Sequence, residues 1–203
     1  NESIMFLAGI NQGKFGVGSQ NSIADPVRNE NNSSSFAHLK FKNLVDDGQE
    51  WSVSASLTHD RGRDAYPIPL LSGGDLEIQK NRRANRYSLE YQHYKSLSNT
   101  LRASWGGEFH RDQVQSFELF STEAQQKNSA WRFYYNQEWK PLERWTFNAG
   151  GLLEQDLYSP LQFAPRFSVN WKPSPDHVLK AGYSSAFRTP SLFEQKSDWR
   201  IRD

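Results

Sequence analysis

The 203-residue chain contains no cysteine. Disulfides and thiolate metal centres are therefore excluded, although the compartment is not fixed by that absence. No apolar run approaches the roughly 18 residues of a membrane-crossing helix. The net charge is only +1, without the basic excess of a nucleic-acid binder, so no nucleic-acid partner is expected. A basic start and a long apolar stretch are missing from Asn1–Phe6, so no signal peptide is visible. Hydrophobic residues make up 36% and the mean hydropathy is −0.82, which is poor for a closed apolar core of this size. Motifs of covalent chemistry are missing too: there is no G-x-S-x-G elbow, phosphate loop or deaminase signature. The histidines are scattered, with His59 and His93 near the ends of apolar segments and His110 beside Arg111, and none has zinc spacing. Asp60, Asp64 and Asp112 resemble the acidic groups of membrane proteases but lack a well-placed histidine partner. Neither catalytic residues, a metal nor a cofactor is expected.

Aromatic residues, by contrast, are abundant at 14%, with seven tryptophans. They sit within segments of strict apolar/polar alternation. Trp51-Ser-Val-Ser-Ala-Ser-Leu-Thr58 is the cleanest, and period-2 alternation marks a strand with one greasy and one wet face. Arg86–Tyr94, Thr100–His110, Trp131–Lys140, Trp145–Glu154, Arg166–Lys172 and Lys180–Arg188 repeat it. The apolar face falls on odd numbers, as in Val53, Leu57, Leu89, Phe133, Phe147, Phe167 and Val169. The even face carries Arg102, Arg132, Arg166 and Arg188 with several glutamates. Charges at strand centres are costly against lipid and tolerable facing a wet or protein-filled lumen. The class expected is therefore all-β: an antiparallel up-and-down meander, part of a transmembrane barrel, with about eight strands.

The connections support this. Asp46–Gln49, Ser96–Asn99, Pro141–Arg144 and Pro173–Asp176 are short and rich in turn formers. Residues 61–83 and 111–128 read as long polar loops, and only the link near Tyr158–Leu161 breaks the alternation. Short periplasmic turns opposite long extracellular loops is the outer-membrane pattern. Trp51, Trp139, Trp145 and Trp171 lie near short turns at outward positions, where an indole suits a membrane–water interface. The alternative is that they plug one end of a sandwich core. Residues 1–34 give a poorly defined strand around Ile4, Phe6 and Ala8, followed by a long loop, and 35–203 read as successive hairpins. The loop Arg61-Gly-Arg-Asp-Ala-Tyr-Pro-Ile-Pro69 suits an anionic chelate through Arg61, Arg63 and Tyr66; a plain solvated hairpin is the other reading.

One segment narrows the class. Leu179-Lys-Ala-Gly-Tyr-Ser-Ser-Ala-Phe-Arg-Thr-Pro-Ser-Leu-Phe-Glu194 resembles the barrel signature of TonB-dependent outer-membrane receptors. Phe163–Pro173 resembles the strand and turn that precede it in those proteins. The likeness covers the last forty or so residues; the rest matches only in hairpin style. The resemblance implies a ligand-gated transporter of a scarce nutrient such as an iron siderophore, haem or cobalamin. Its implied partners are outer-membrane lipid and the TonB complex acting through a plug, in a barrel of about 22 strands. No plug-like region is visible, so the chain reads as an excised piece of barrel wall. Such a piece could dimerise through its unpaired edges or apolar face. Along the motif, Phe187 keeps outward parity, Arg188 inward, and Pro190 interrupts the ladder. Arg188 could hold a group inside the barrel or pair with a neighbouring strand's glutamate. Two rival classes remain: a complete small eight-stranded barrel with a structural or adhesive role, and a soluble β-sandwich binding module.

Overall fold

The computed structural model describes residues 1–70 and 72–198. The strands are β1 (Glu2–Val17), β2 (Arg28–Asp46), β3 (Gln49–Pro69), β4 (Asp75–Ser98) and β5 (Leu101–Gln115). They continue with β6 (Gln126–Leu142), β7 (Trp145–Asp156), β8 (Gln162–Ser174) and β9 (His177–Ser184). Two short helices are present, α1 (Phe117–Phe120) after β5 and α2 (Leu192–Lys196) near the C-terminus. All nine strands form one sheet in chain order, each antiparallel to the next. This is the expected meander with one more strand. Among the described residues no second sheet packs on it, which removes the sandwich.

Register follows the hydrophobic alternation, because a one-residue slip would turn each greasy set to the other face. Phe41 lies opposite Val53, Val53 opposite Tyr91, and Phe133 opposite Leu153. Among the described residues, irregularities occur only beside the short turns, at Leu44/Asp46, Ser96/Ser98, Trp139/Leu142 and Trp171/Ser174. The face assignment thus runs unbroken from these turns to the far ends. The apolar face stays open: Phe133 is 44% and Phe167 48% exposed. Among the described residues the buried apolar ones are few, Tyr66, Ala103, Phe120, Ala130 and Leu192. The sheet is held by its backbone ladders, and its greasy side is left for lipid.

The N-terminal reading needs correction. Residues 9–35 are not a long loop: β1 runs to Val17 and pairs with β2 throughout, so only 18–27 is a connection. Two features hid the strand. Its apolar set is on even numbers, with Ile4 opposite Phe41 and Phe6 opposite Leu39. Beyond Ile10 its outward face turns polar at Gln12 and Lys14 while its reverse mixes Asn11 and Gly13 with Phe15 and Val17, so backbone bonds carry the pairing without alternation. The stretch at 61–83 is likewise mostly strand, whereas 111–128 is strand only at its two ends, with α1 and a connection between them. β3 and β4 continue to a tip at Gly73 and Gly74, with 21 and 24 residues where about 9–11 cross a bilayer. Gly73 and Gly74 turn that tip at φ +86° and +90°, a region that favours glycine.

Candidate functional site

The polar face carries the charged groups, and a C-terminal strap crosses it. β9 ends at Ser184, and residues 185–198 leave the ladder. Thr189 Oγ1 donates to Glu154 at 2.6 Å, and Gln195 Nε2 to Asp156 at 3.1 Å. The Asp198 amide reaches the Leu119 carbonyl at 3.0 Å, and Ser121 Oγ donates to the Asp198 carbonyl at 2.6 Å. Leu192 and Phe120 are buried together over Thr58, Ala84, Arg86 and Asp112. A capping box starts α2: Ser191 Oγ accepts from the Glu194 amide, and the Glu194 carboxylate accepts from the Ser191 amide.

The barrel-signature motif is thus a strap, and its strand stops six residues before Pro190. Arg188 pairs with Glu194 of its own segment, through two bonds of 2.8 Å, and not with a neighbouring strand. Arg188 and two hydrogen bonds from Ser191 hold the Glu194 carboxyl at about 2 against an ordinary 4.5. At the far end of β7, burial would raise the Asp156 carboxyl. Hydrogen bonds from Tyr158, Gln195, Ser159 and Asn128 outweigh it and hold the group low.

Beneath the strap lies a cleft of about 560 Å³ lined by Glu90, Glu108, Arg132, Tyr134, Arg166 and Phe187, among others. Arg132 stands between two carboxylates, 3.5 Å from Glu108 and 3.4 Å from Glu154. Arg166 donates to Asn136 Oδ1 at 2.6 Å. Arg102 lies opposite Glu138 on β6, which bonds Lys140 at 2.9 Å instead. Arg102, Arg132 and Arg166 therefore share the polar face by alternation, while Arg188 reaches it by the strap.

The aromatic rim has three members together and one apart. Trp145 stacks on Trp171 with centroids 5.4 Å apart, and Phe147 links Trp145 to Trp139 at 5.8 and 5.6 Å. Trp51 rests on Phe41 at 5.3 Å. Between them His93 stacks on Trp105 at 4.3 Å. Trp105 is a rim residue that its distance from a turn concealed.

The loop trio is split. Tyr66 is buried on the polar side, with the Arg28 guanidinium 3.7 Å and the Lys80 ammonium 5.2 Å from its ring. Arg61 and Arg63 are at odd positions, on the face that carries Val53 and Leu57.

A sheet greasy on one side and charged on the other, with tight turns at one end and tall hairpins at the other, is one wall of an outer-membrane β-barrel. The TonB dependent receptor-like β-barrel family matches residues 6–199. The chain belongs to that family, which consists of transporters, not enzymes, and its place is the outer membrane of a Gram-negative bacterium. Over 72 residues it is 33% identical to the iron-regulated outer membrane virulence protein of two Vibrio cholerae serotype O1 strains. That match takes in 36% of this chain and 11% of the relative. Among solved structures, the FrpB iron transporter of Neisseria meningitidis (F3-3 variant) is similar over 97% of this chain and 44% of that chain. The TM-score there is 0.48 at 11% identity. The chain thus spans less than half the length of these proteins.

Proposed function

We propose that the receptor of which this sheet is one wall imports a scarce nutrient: an iron siderophore, haem or cobalamin. The energy comes from periplasmic TonB acting through a plug. The observation that carries the reading is the charge-lined cleft on the polar face, where Arg132 and Arg166 stand beside an internal strap. Such a surface suits a wet passage or a mobile protein plug and would be costly against hydrocarbon. Arginines there can hold an anionic chelate or a plug carboxylate through charge-assisted bonds. The match to an iron-regulated relative favours iron over cobalamin. Of the loop trio, Tyr66 shares the cargo's face and braces the tall hairpin, whereas Arg61 and Arg63 lie on the lipid side.

Radiolabelled uptake by cells carrying the full-length gene, with and without TonB, tests this. The expected result is saturable accumulation of one iron chelate or haem that vanishes without TonB. Equal accumulation in the TonB-deficient strain, or none from a panel of chelates, haem and cobalamin, contradicts it.

A further inference from the structure

Past the apolar band the greasy face becomes one-signed. Its outward positions there hold Lys14, Arg61, Arg63, Arg83, Arg111 and Lys127. No acidic side chain alternates onto this face until Asp75 and Glu77 near the β3–β4 tip. The anions at the same height, such as Asp60, Asp64 and Asp112, all point to the polar side. Among the described residues none of the six cations forms an ion pair.

Arg61 and Arg83 are direct cross-strand partners. Like charges so placed destabilise a sheet unless something neutralises them. Arg61 and Arg63 also line a shallow cleft with Lys14, Asn31, Gln12 and Ser33. These are donors suited to a phosphate. The height is set by the strand: Arg61 lies about ten residues from the rim residue Trp51 on β3, the length that spans a bilayer's hydrocarbon. The basic strip therefore meets the headgroup layer of the outer leaflet.

We propose that this strip, centred on Arg61, Arg63 and Arg83, docks the phosphorylated headgroup of an outer-leaflet lipid. The acyl chains of that lipid lie along Leu57, Leu89 and Phe109 of the adjoining apolar band. The site faces away from the cleft that the transport proposal uses and rests only on the barrel-wall assignment, so uptake and lipid docking are separable.

The test uses the full-length receptor, delipidated in zwitterionic detergent and offered bis-phosphorylated lipid A or the same lipid dephosphorylated, with bound lipid read by native mass spectrometry. The wild type is expected to retain the phosphorylated form preferentially, and less so as salt rises. R61Q/R63Q is expected to retain about thirtyfold less, the loss suited to two arginine–headgroup contacts. R102Q/K180Q, which removes equal charge from the polar face, is expected to match the wild type. Inorganic phosphate at matched concentration is expected not to displace the lipid. Equal retention of both lipids by the wild type overturns the proposal without any variant. Equal loss in R102Q/K180Q, or displacement by inorganic phosphate, overturns the lipid assignment as well.

Discussion

Arg28 clasps Asp64 through two bonds of 2.7 Å, from Nε and from Nη2, joining residues 36 positions apart. Arg28 also reaches Asp25 at 2.6 Å and so ties the β1–β2 connection to the tall part of β3. Both side chains of the Arg28–Asp64 pair are largely buried, at 11% and 5% exposed. Asp64→Asn leaves Arg28 with one carboxylate and is expected to weaken this corner by about 1–3 kcal/mol. Hydrogen exchange at residues 18–27 should quicken, while the short-turn end of the sheet is unchanged. Unaltered exchange at those amides would show that the clasp is not what holds them.

Two neighbouring glycines on β5 should respond oppositely to alanine. A Cβ on Gly106 would strike the Tyr134 hydroxyl and the Tyr91 carbonyl oxygen. On Gly107 the nearest atom is 3.4 Å away. Gly106→Ala is expected to destabilise the barrel by about 1–3 kcal/mol. Gly107→Ala should change it by less than about 0.5 kcal/mol. Urea unfolding of the reconstituted receptor measures both, and equal costs would contradict the packing of Tyr134 across Gly106.

The stacked pair Trp145 and Trp171 should couple. A double-mutant cycle to leucine is expected to show about 0.5–1.5 kcal/mol between them. Trp51, near Phe41, should show no coupling to either. In liposomes their fluorescence should be quenched by lipids brominated near the interface more than by those brominated deep in the chain.

Acid should open the Arg188–Glu194 pair within the strap. The folded Glu194 carboxyl is depressed to about 2 from 4.5, so its link to Arg188 is complete above about 4.5 and is lost as pH falls through about 2. Arg188→Ala is expected to move the Glu194 midpoint upward towards 4.5. Carboxyl-carbon NMR of a Glu-labelled receptor reads this directly, and an unmoved midpoint would assign the depression to the capping box instead.

Where one strand face meets lipid, the sequence was easy to read. Trp51, Val53, Ala55 and Leu57 alternate with serines because the two environments differ, and from that contrast the meander, the turns and the polar-side arginines follow. Legibility failed where the contrast vanishes. Asn11–Lys14 and Asn29–Ser34 pair through backbone bonds with polar groups on both sides, so a strand looked like a loop. The strap failed for another reason: Lys180–Arg188 keeps the period of a strand, but its ladder ends at Ser184, and its capping box and long-range hydrogen bonds decide its path. Arg61, Arg63 and Tyr66 seemed one cluster because they are close in sequence, yet odd and even positions in a strand face opposite ways.

Which side of the sheet touches hydrocarbon is tested most directly by spin labelling of the membrane-embedded full-length receptor. This chain contributes no cysteine background. Nitroxides on Val53→Cys, Leu89→Cys and Phe133→Cys should collide with oxygen in preference to a water-soluble nickel chelate. Those on Ser54→Cys, Glu90→Cys and Arg132→Cys should show the reverse. Matching accessibility on both sets, or an inverted pattern, would contradict the assignment of the two faces.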